Sequence, residues 1–454
     1  MDTTTLSFKK INILIVLISI LMMAVVLNLP FKAKPFGDDY SFHAQSKALA
    51  AYIKGDGSYD NVTLTKAVGP VIFYTPAYLL APSNPTDNQL WVNAIIATFT
   101  ISTISLLLVF RIGLNLFCKE VGLLAVLFFF LFPIHIYYSL GILAEVPAFF
   151  SLTVALYGWS IVFLNPNKIK GWIILVLGLW FLILNRPNAI LLLGLGILIL
   201  SYSFFMRKAF FKAYGKKLAL TFFAVGVLSF GVLQIAKAVT AAKSNENQEG
   251  LFYFVAHQGR FQFREEPTDF RFWDNDIRPD SKDYQNWGKS GEELGIIMEK
   301  QHRTYNDVYR EFLITDAFEH PFLFTRQFIV KCFFGHVYFI NSIKPSEFQL
   351  GPIHGAIAYW FVIVIINAVN ILLILGAFLF LYKEKNLINY WLFWGIIVAL
   401  LIFHGLIYME PRYMFPSRVA LYIMSAAGLY QVRWVQRKVN FIAKYVFPTN
   451  KQLS

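Results

Sequence analysis

GWIILVLGLWFLILNRPNAILLLGLGILILSYSFFM, residues 171–206, contains one charged side chain, Arg186, between two apolar runs. A bilayer core about 30 Å thick takes roughly 20 apolar residues of helix, because lipid offers backbone N–H and C=O groups no partner outside the helix itself. Each half of the stretch is near that length. Pro187, directly after Arg186, suits the first turn of a new helix, where its missing N–H costs nothing. The stretch reads as two membrane spans that meet at one surface, with Arg186 at the turn.

The same pattern extends in both directions. Apolar runs nearly free of charge cover 11–31, 88–110, 121–144, 146–167, 171–185, 187–206, 218–236, 348–382, 386–409 and 413–432. These predict an all-α polytopic membrane protein of about ten transmembrane helices. Composition agrees: of 454 residues 57% are hydrophobic and 15% charged, which excludes a compact soluble domain with its usual share of about 25% charged residues. The net charge of +13 would suggest nucleic acid in a soluble chain, but here Lys and Arg cluster at the ends of apolar runs. That placement speaks for membrane orientation and against a nucleic-acid partner. Cys118 and Cys332 are too few for a disulfide framework.

Run 11–31 follows Lys9 and Lys10 and is longer than a signal-peptide core, so it reads as a retained first span. Alternation of ten spans from an inner N-terminus puts 9–10, 111–120, 165–170, 207–217, 383–385 and the tail from Arg433 on one side, with 18 Lys and Arg, more than the short outer segments hold. RKAFFKAYGKK at 207–217 is the strongest single piece of this positive-inside bias, and both termini come out cytoplasmic.

The expected organisation is a membrane domain over 1–236 with an outer loop at 32–87, and an extracytoplasmic polar domain at 237–320. An interfacial or re-entrant helix at 321–342, transmembrane helices over 343–432 and a basic cytoplasmic tail at 433–454 complete it. The polar domain holds 16 of the 27 acidic residues, and its aromatics, among them Phe252, Phe254, Phe261, Phe263, Phe270, Phe272, Trp273 and Trp287, suffice for a small core or for stacking on sugars. In 321–340, Arg326, Lys331 and His336 interrupt an apolar stretch, which predicts a helix in the interface with its cations snorkelling. NVT at 61–63 matches a glycosylation triplet too common to decide anything.

Three groups of residues carry candidate chemistry. In KPFGDDYSFHAQ, Pro35 and Gly37 make a turn, and Asp38 and Asp39 follow at the start of an amphipathic helix over 40–53. The pair reads either as a helix cap or as a functional dyad. Two adjacent carboxylates in a dehydrated cleft resist double ionisation, so one can accept a proton, and they can equally share a divalent cation. His43, one turn after Asp39, can orient a carboxylate, ligate metal, or simply pack. Glu145, between runs at an outer turn, is costly there unless it faces water or a partner, and Arg186 poses the same question in the opposite sign. Glu410, Arg412 and Arg418 form the third group in YMEPRYMFPSRVALY, where arginines on the outer side suit a lipid phosphate, a headgroup or the neighbouring acid.

These pieces, taken in order, resemble the GT-C polytopic glycosyltransferases, in particular the family 39-like group of protein mannosyltransferases and aminoarabinose transferases. The motifs that carry the likeness are FGDDYSFHA, GPVIFYTPAYLL, LAEVPAFFSLTVALY, NRPNAILLL and EPRYMFPSRVALY, with EHPFLFTRQFIVKCFF similar to the interfacial segment before the late spans. Asp39 departs from the pattern, since many relatives carry Glu there. The resemblance implies an inverting transfer of a sugar from a polyprenyl-phosphate donor to a glycan, lipid or protein acceptor, on the extracytoplasmic side of a bacterial cytoplasmic membrane. It implies Asp38 as the base and Asp39 as an acceptor-positioning or metal-sharing residue. Arg186 and Arg412 would stabilise the leaving phosphate, with His43, Glu145, Glu410 and Tyr413 completing the substrate-binding set. No cofactor is demanded; a divalent cation, Mg or Mn, on Asp38, Asp39 and His43 is the one the pattern leaves room for.

Two other readings remain open at this level. A polysaccharide polymerase or ligase would work through His257, Arg260 and Arg264 of the polar domain. A lipid-linked sugar flippase or transporter would need charges or broken helices near the membrane midplane, where these runs carry few.

Overall fold

The computed structural model describes residues 3–27, 38–58, 62, 64, 67–82, 85–132, 134–139, 141–241, 248–266, 280–337, 349–350 and 353–446. The chain is an all-α polytopic membrane protein. Among the described residues six helices are long and apolar enough to cross a bilayer: Asp87–Leu116, Glu145–Leu164, Pro187–Met206, Lys208–Ala236, Gly355–Lys383 and Leu387–Leu406. Lys10–Ala24, Val68–Leu79 and Ile169–Asn185 are shorter apolar helices. The Pro35–Gly37 turn, Asn61 and Thr63, Phe270, Phe272, Trp273, and positions 338–342 and 447–454 of the expected segments lie outside the described residues.

Two expected spans are not single helices. Run 121–144 stops after Lys119–Leu131, 13 residues, and resumes as the six-residue helix Ile134–Ser139. Phe132 between them is non-helical (φ −105°, ψ 87°), in keeping with the bias of a residue that precedes a proline in sequence. Run 413–432 divides into a 3₁₀ helix, Pro411–Ser417, and the 13-residue helix Arg418–Tyr430. Pro416 supplies no N–H to an α ladder there.

The chain forms two compact units, Met1–Lys243 with Ala368–Ile397 and Pro416–Ser454, and Ser244–Asn367 with Val398–Phe415. In the first, helix Asp38–Lys54 packs with Val68–Leu79 and Asp87–Leu116 around Phe42, Tyr74, Tyr78, Trp91 and Phe99. Helix Asp87–Leu116, 30 residues and about 45 Å long, begins in a capping box: Gln89 N donates to Thr86 Oγ1 at 3.3 Å and Thr86 N to Gln89 Oε1 at 2.9 Å. Inside it, Thr98, Ser102 and Ser105 donate to carbonyls four residues back at 2.8 Å, so their hydroxyls need nothing from lipid.

The basic turns of this unit gather at one end. Phe117 stacks on Tyr390 at 5.6 Å, Trp159 Nε1 donates to Asn389 O at 3.0 Å, and Lys217 Nζ donates to Pro166 O at 2.7 Å. Helix Arg433–Val446 lies beside Lys119–Leu131 at the same end. Glu145 stands at the far end of the 20-residue helix Glu145–Leu164, about 30 Å from the turn bearing Lys168.

In the second unit, helices Gln248–Phe261, Lys282–Gln301, Tyr305–Glu319 and Pro321–Phe334 precede a short antiparallel ladder pairing Gln349 with His354 and Leu350 with Ile353. Ser281 and Thr304 cap the second and third of these helices by accepting from Tyr284 N and Asp307 N. Leu294, Val308 and Tyr309 form one core cluster, and Phe261 with Tyr408 another, against Trp287 and Phe312. Of the described aromatics, Phe261, Phe263 and Trp287 serve as core, whereas Phe252 and Phe254 are exposed. Lys331 does not snorkel as expected. It is buried, and its Nζ donates to Ile407 O at 3.0 Å.

Candidate functional site

In the first unit Asp38 opens helix Asp38–Lys54 and is half-buried. Asp39 lies in the same helix, and its side chain is outside the described residues. His43, one turn on, is buried with Nδ1 at 2.8 Å from Tyr78 Oη and Nε2 at 3.7 Å from Asp87 Oδ1, while Lys47 Nζ donates to that same carboxylate oxygen at 2.6 Å. Burial holds the His43 imidazole below its usual value, outweighing the opposite pull of Asp87. Both His43 nitrogens thus face protein groups, and the ring packs edge-on against Tyr78 and beside Trp91. Among the described residues no three His, Cys, Asp or Glu side chains come together closely enough to hold a metal ion.

Helix Val68–Leu79, whose sequence is part of GPVIFYTPAYLL, ties this corner to the second acidic group. A Cβ at Gly69 would fall 2.6 Å from the Asn185 amide nitrogen, so only glycine lets the helix start against the end of Ile169–Asn185. One turn later Tyr74 Oη donates to Leu143 O at 2.9 Å, two residues before Glu145. The Asp38 helix, Glu145 and Arg186 accordingly share one end of the unit.

Glu145 and Arg186 form a buried ion pair. Arg186 Nη2 donates to Glu145 Oε1 at 2.5 Å, with 2% of the Glu145 side chain exposed and 15% of Arg186. Arg186 follows the last residue of Ile169–Asn185, and Asn185 is itself fixed by bonds from Nδ2 to Ser151 Oγ at 3.2 Å and Phe181 O at 2.8 Å. The pair cancels its own charge while 15% of the Arg186 side chain stays accessible, an arrangement that keeps the cation from standing isolated in low dielectric.

In the second unit Arg412 Nε lies 2.5 Å from Glu410 Oε2, both side chains partly accessible. The Arg412 guanidinium sits 5.2 Å over the Tyr413 ring, which stacks on His404 at 4.5 Å. The preceding backbone is held from several sides. His404 Nδ1 donates to Tyr408 O at 3.1 Å; Gln262 Nε2 donates to Met409 O at 2.6 Å and its Oε1 accepts from Met409 N at 3.0 Å. A Cβ on Gly259 would collide with Ile407 O at 1.7 Å. Arg418, grouped with these residues by sequence, belongs to the first unit, where it is fully buried, bonded to Asn370 Oδ1 and 5.0 Å over the Phe132 ring.

The residues of the polymerase reading are otherwise engaged. His257 accepts at Nδ1 from Trp287 Nε1 at 3.1 Å and so carries its proton on Nε2, 3.0 Å from Ser290 Oγ; burial pushes it down to about 4. Arg260 donates to Asp316 Oδ2 at 2.6 Å and Gln327 Oε1 at 2.9 Å, and Arg264 to Asp316 Oδ1 at 2.8 Å. Tyr78, Asp87 and Gln262 were not foreseen from sequence. Of these Tyr78 alone had a signal, lying one turn after Tyr74 in the apolar motif.

No family model matches the chain, nor does any curated protein sequence. Among solved structures, the archaeal oligosaccharyltransferase AglB from Archaeoglobus fulgidus, in complex with an inhibitory peptide and a dolichol-phosphate, is similar with TM-score 0.48 and 13% identity over 96% of this chain. The chain spans 55% of that protein's length. ArnT from Cupriavidus metallidurans bound to undecaprenyl phosphate gives TM-score 0.43 and 12% identity, covering 92% of this chain and 78% of that one. Its apo state gives 0.40 and 12%, covering 92% and 77%.

Proposed function

We propose that this chain is a GT-C-type membrane glycosyltransferase that moves a sugar from a polyprenyl-phosphate donor to an acceptor hydroxyl, with inversion, on the extracytoplasmic side. The observation that carries the reading is the grouping of the Asp38 helix with the buried Glu145–Arg186 pair at one end of the first unit, opposite the basic turns. By the positive-inside bias those turns mark the cytoplasmic end, which assigns the acidic end to the outside.

In the proposed step Asp38 accepts the acceptor hydroxyl proton as the oxygen bonds to the anomeric carbon. The bond from that carbon to the phosphate oxygen breaks, and the lipid phosphate leaves with the electron pair. Arg186, already paired, meets the negative charge that grows on the phosphate without having to be reoriented. Asp39 would position the acceptor or share a cation with Asp38. The Glu410–Arg412 pair and Tyr413 are assigned anion and sugar contacts on their chemistry alone. The commitment of His257, Arg260 and Arg264 to the interior of the second unit favours this reading over the polymerase.

The test is sugar transfer from a radiolabelled polyprenyl-phosphate sugar panel in proteoliposomes. Asp38→Asn should lose about 10²–10⁴-fold in rate, the usual contribution of a positioned base. Sensitivity of the wild type to chelator would assign a metal. No turnover of any donor, with lipid movement across the bilayer intact, would replace the transferase with a flippase.

A further inference from the structure

Helix Arg433–Val446 presents an aromatic edge to the outside. Trp434 is 68% exposed and Phe441 59%. At 100° per residue the two project within about 20° of one another. Arg433 and Arg437 border that edge on one side and Lys438 on the other, all exposed. The adjoining arc of Val435, Val439 and Ala443 is half-buried to buried, and the helix contacts Arg418–Tyr430 and Lys119–Leu131. Tyr430 Oη donates to Asn440 Oδ1 at 2.9 Å across the turn that joins it to the preceding helix. The bundle therefore covers one part of the apolar face, while Trp434 and Phe441 keep more than half of their surface exposed.

Charge and position identify what covers the remainder. Residues 433–454 contain five Lys and Arg and no Asp or Glu. A second copy of the same helix would meet like charge with like charge. The helix starts two residues after the buried helix Arg418–Tyr430 and lies at the end where the other basic turns gather, so it is held at the bilayer edge. Exposed Trp and Phe flanked by Arg and Lys are the side chains that the headgroup region of an anionic membrane accepts, rings toward the acyl boundary and cations on phosphates.

We infer that helix Arg433–Val446 is a lipid-binding surface, lying along the membrane plane with Trp434 and Phe441 in the headgroup region and Arg433, Arg437 and Lys438 on anionic phospholipids. The inference is independent of the transferase reading and fails or stands without it.

The full chain, with Cys118 and Cys332 replaced by Ser, would carry an environment-sensitive dye at Phe441→Cys or, as the solvent-side control, Gln436→Cys. Quenching by neutral acrylamide is then read in nanodiscs of phosphatidylcholine alone and of equal parts phosphatidylcholine and phosphatidylglycerol. Position 441 should be quenched several-fold less than 436 in the anionic discs, and R437Q/K438Q should return it to its value in neutral discs. Equal quenching at the two positions in anionic discs overturns the inference. So does shielding of 441 that ignores lipid charge, or that persists in detergent with a dimeric mass, which would make a second copy the occupant. Light scattering of each variant checks that the fold and mass are retained.

Discussion

Glu145 is a buried carboxylate whose partner, Arg186, lies 41 positions later in the chain. Removing one member of such a pair leaves the other charge in low dielectric, at a cost of about 3–5 kcal/mol. Glu145→Ala should show a loss of that size in reversible SDS unfolding, whereas Glu145→Leu combined with Arg186→Leu should recover much of it. Equal losses in the two variants would mean that the pair contributes by shape and not by charge. Gln262 makes a second residue-scale case, because its one amide serves both backbone groups of buried Met409. Gln262→Leu withdraws the side-chain partner of each and should cost about 1–3 kcal/mol per group, seen as a lower denaturation midpoint. Charge at Glu145 and Arg186 was legible in the sequence because an ionisable residue beside long apolar runs stands out. Gln262 was not, since a neutral amide in a polar segment looks like any surface residue until Met409, 147 positions on, is placed beside it.

Helix Gln248–Phe261 carries His257 against Tyr309, Phe312 and Phe261. Its folded value is depressed from 6.5 to about 4, so between those limits the unfolded chain binds the proton and the folded chain does not. Stability from this group is complete above pH 6.5 and lost as pH falls toward 4, by about 3 kcal/mol at 1.36 kcal/mol per unit. Denaturation midpoints recorded through that window should fall, and His257→Asn should flatten the slope; an unchanged slope would remove His257 as its source. At the same scale, the helical runs were readable because bilayer thickness dictates their length. The break at Phe132 was also written in the sequence, as Phe-Pro within an apolar run, but hydropathy averaged over a span hides a single missing N–H. The role of helix Val68–Leu79 as a strut between the Asp38 helix and Asn185 is not legible in its motif, because it depends on a contact of Gly69 with a distant backbone.

For the molecule as a whole, the separation of basic turns from acidic groups in the first unit predicts the outcome of side-specific labelling. In sealed vesicles of one orientation, cysteines at Asn167 and Ser58, both exposed, should react with an impermeant maleimide from opposite sides. Reaction from the same side would refute the end-to-end arrangement. Lys and Arg counts along the chain already expressed this division, since each turn obeys the same bias separately. Beyond their reach was the division into two units, where 398–415 joins a polar segment far earlier in the chain. Such a boundary is set by which faces pack, and a single sequence shows only which faces are apolar.

Helix Asp87–Leu116 also works as a depth gauge. If the hydrocarbon ends at Arg111 on the basic side, a core of about 30 Å counted back from it at 1.5 Å per residue ends at the level of Trp91. Asp87, with Lys47 and His43 beside it, then stands one further turn out, about 6 Å beyond the acyl chains. That is the level at which lipid phosphates already reside. Under the proposed function, a donor tethered by a polyprenyl tail would come within reach by sideways diffusion in its own leaflet, with no need to rise out of the membrane or sink into it.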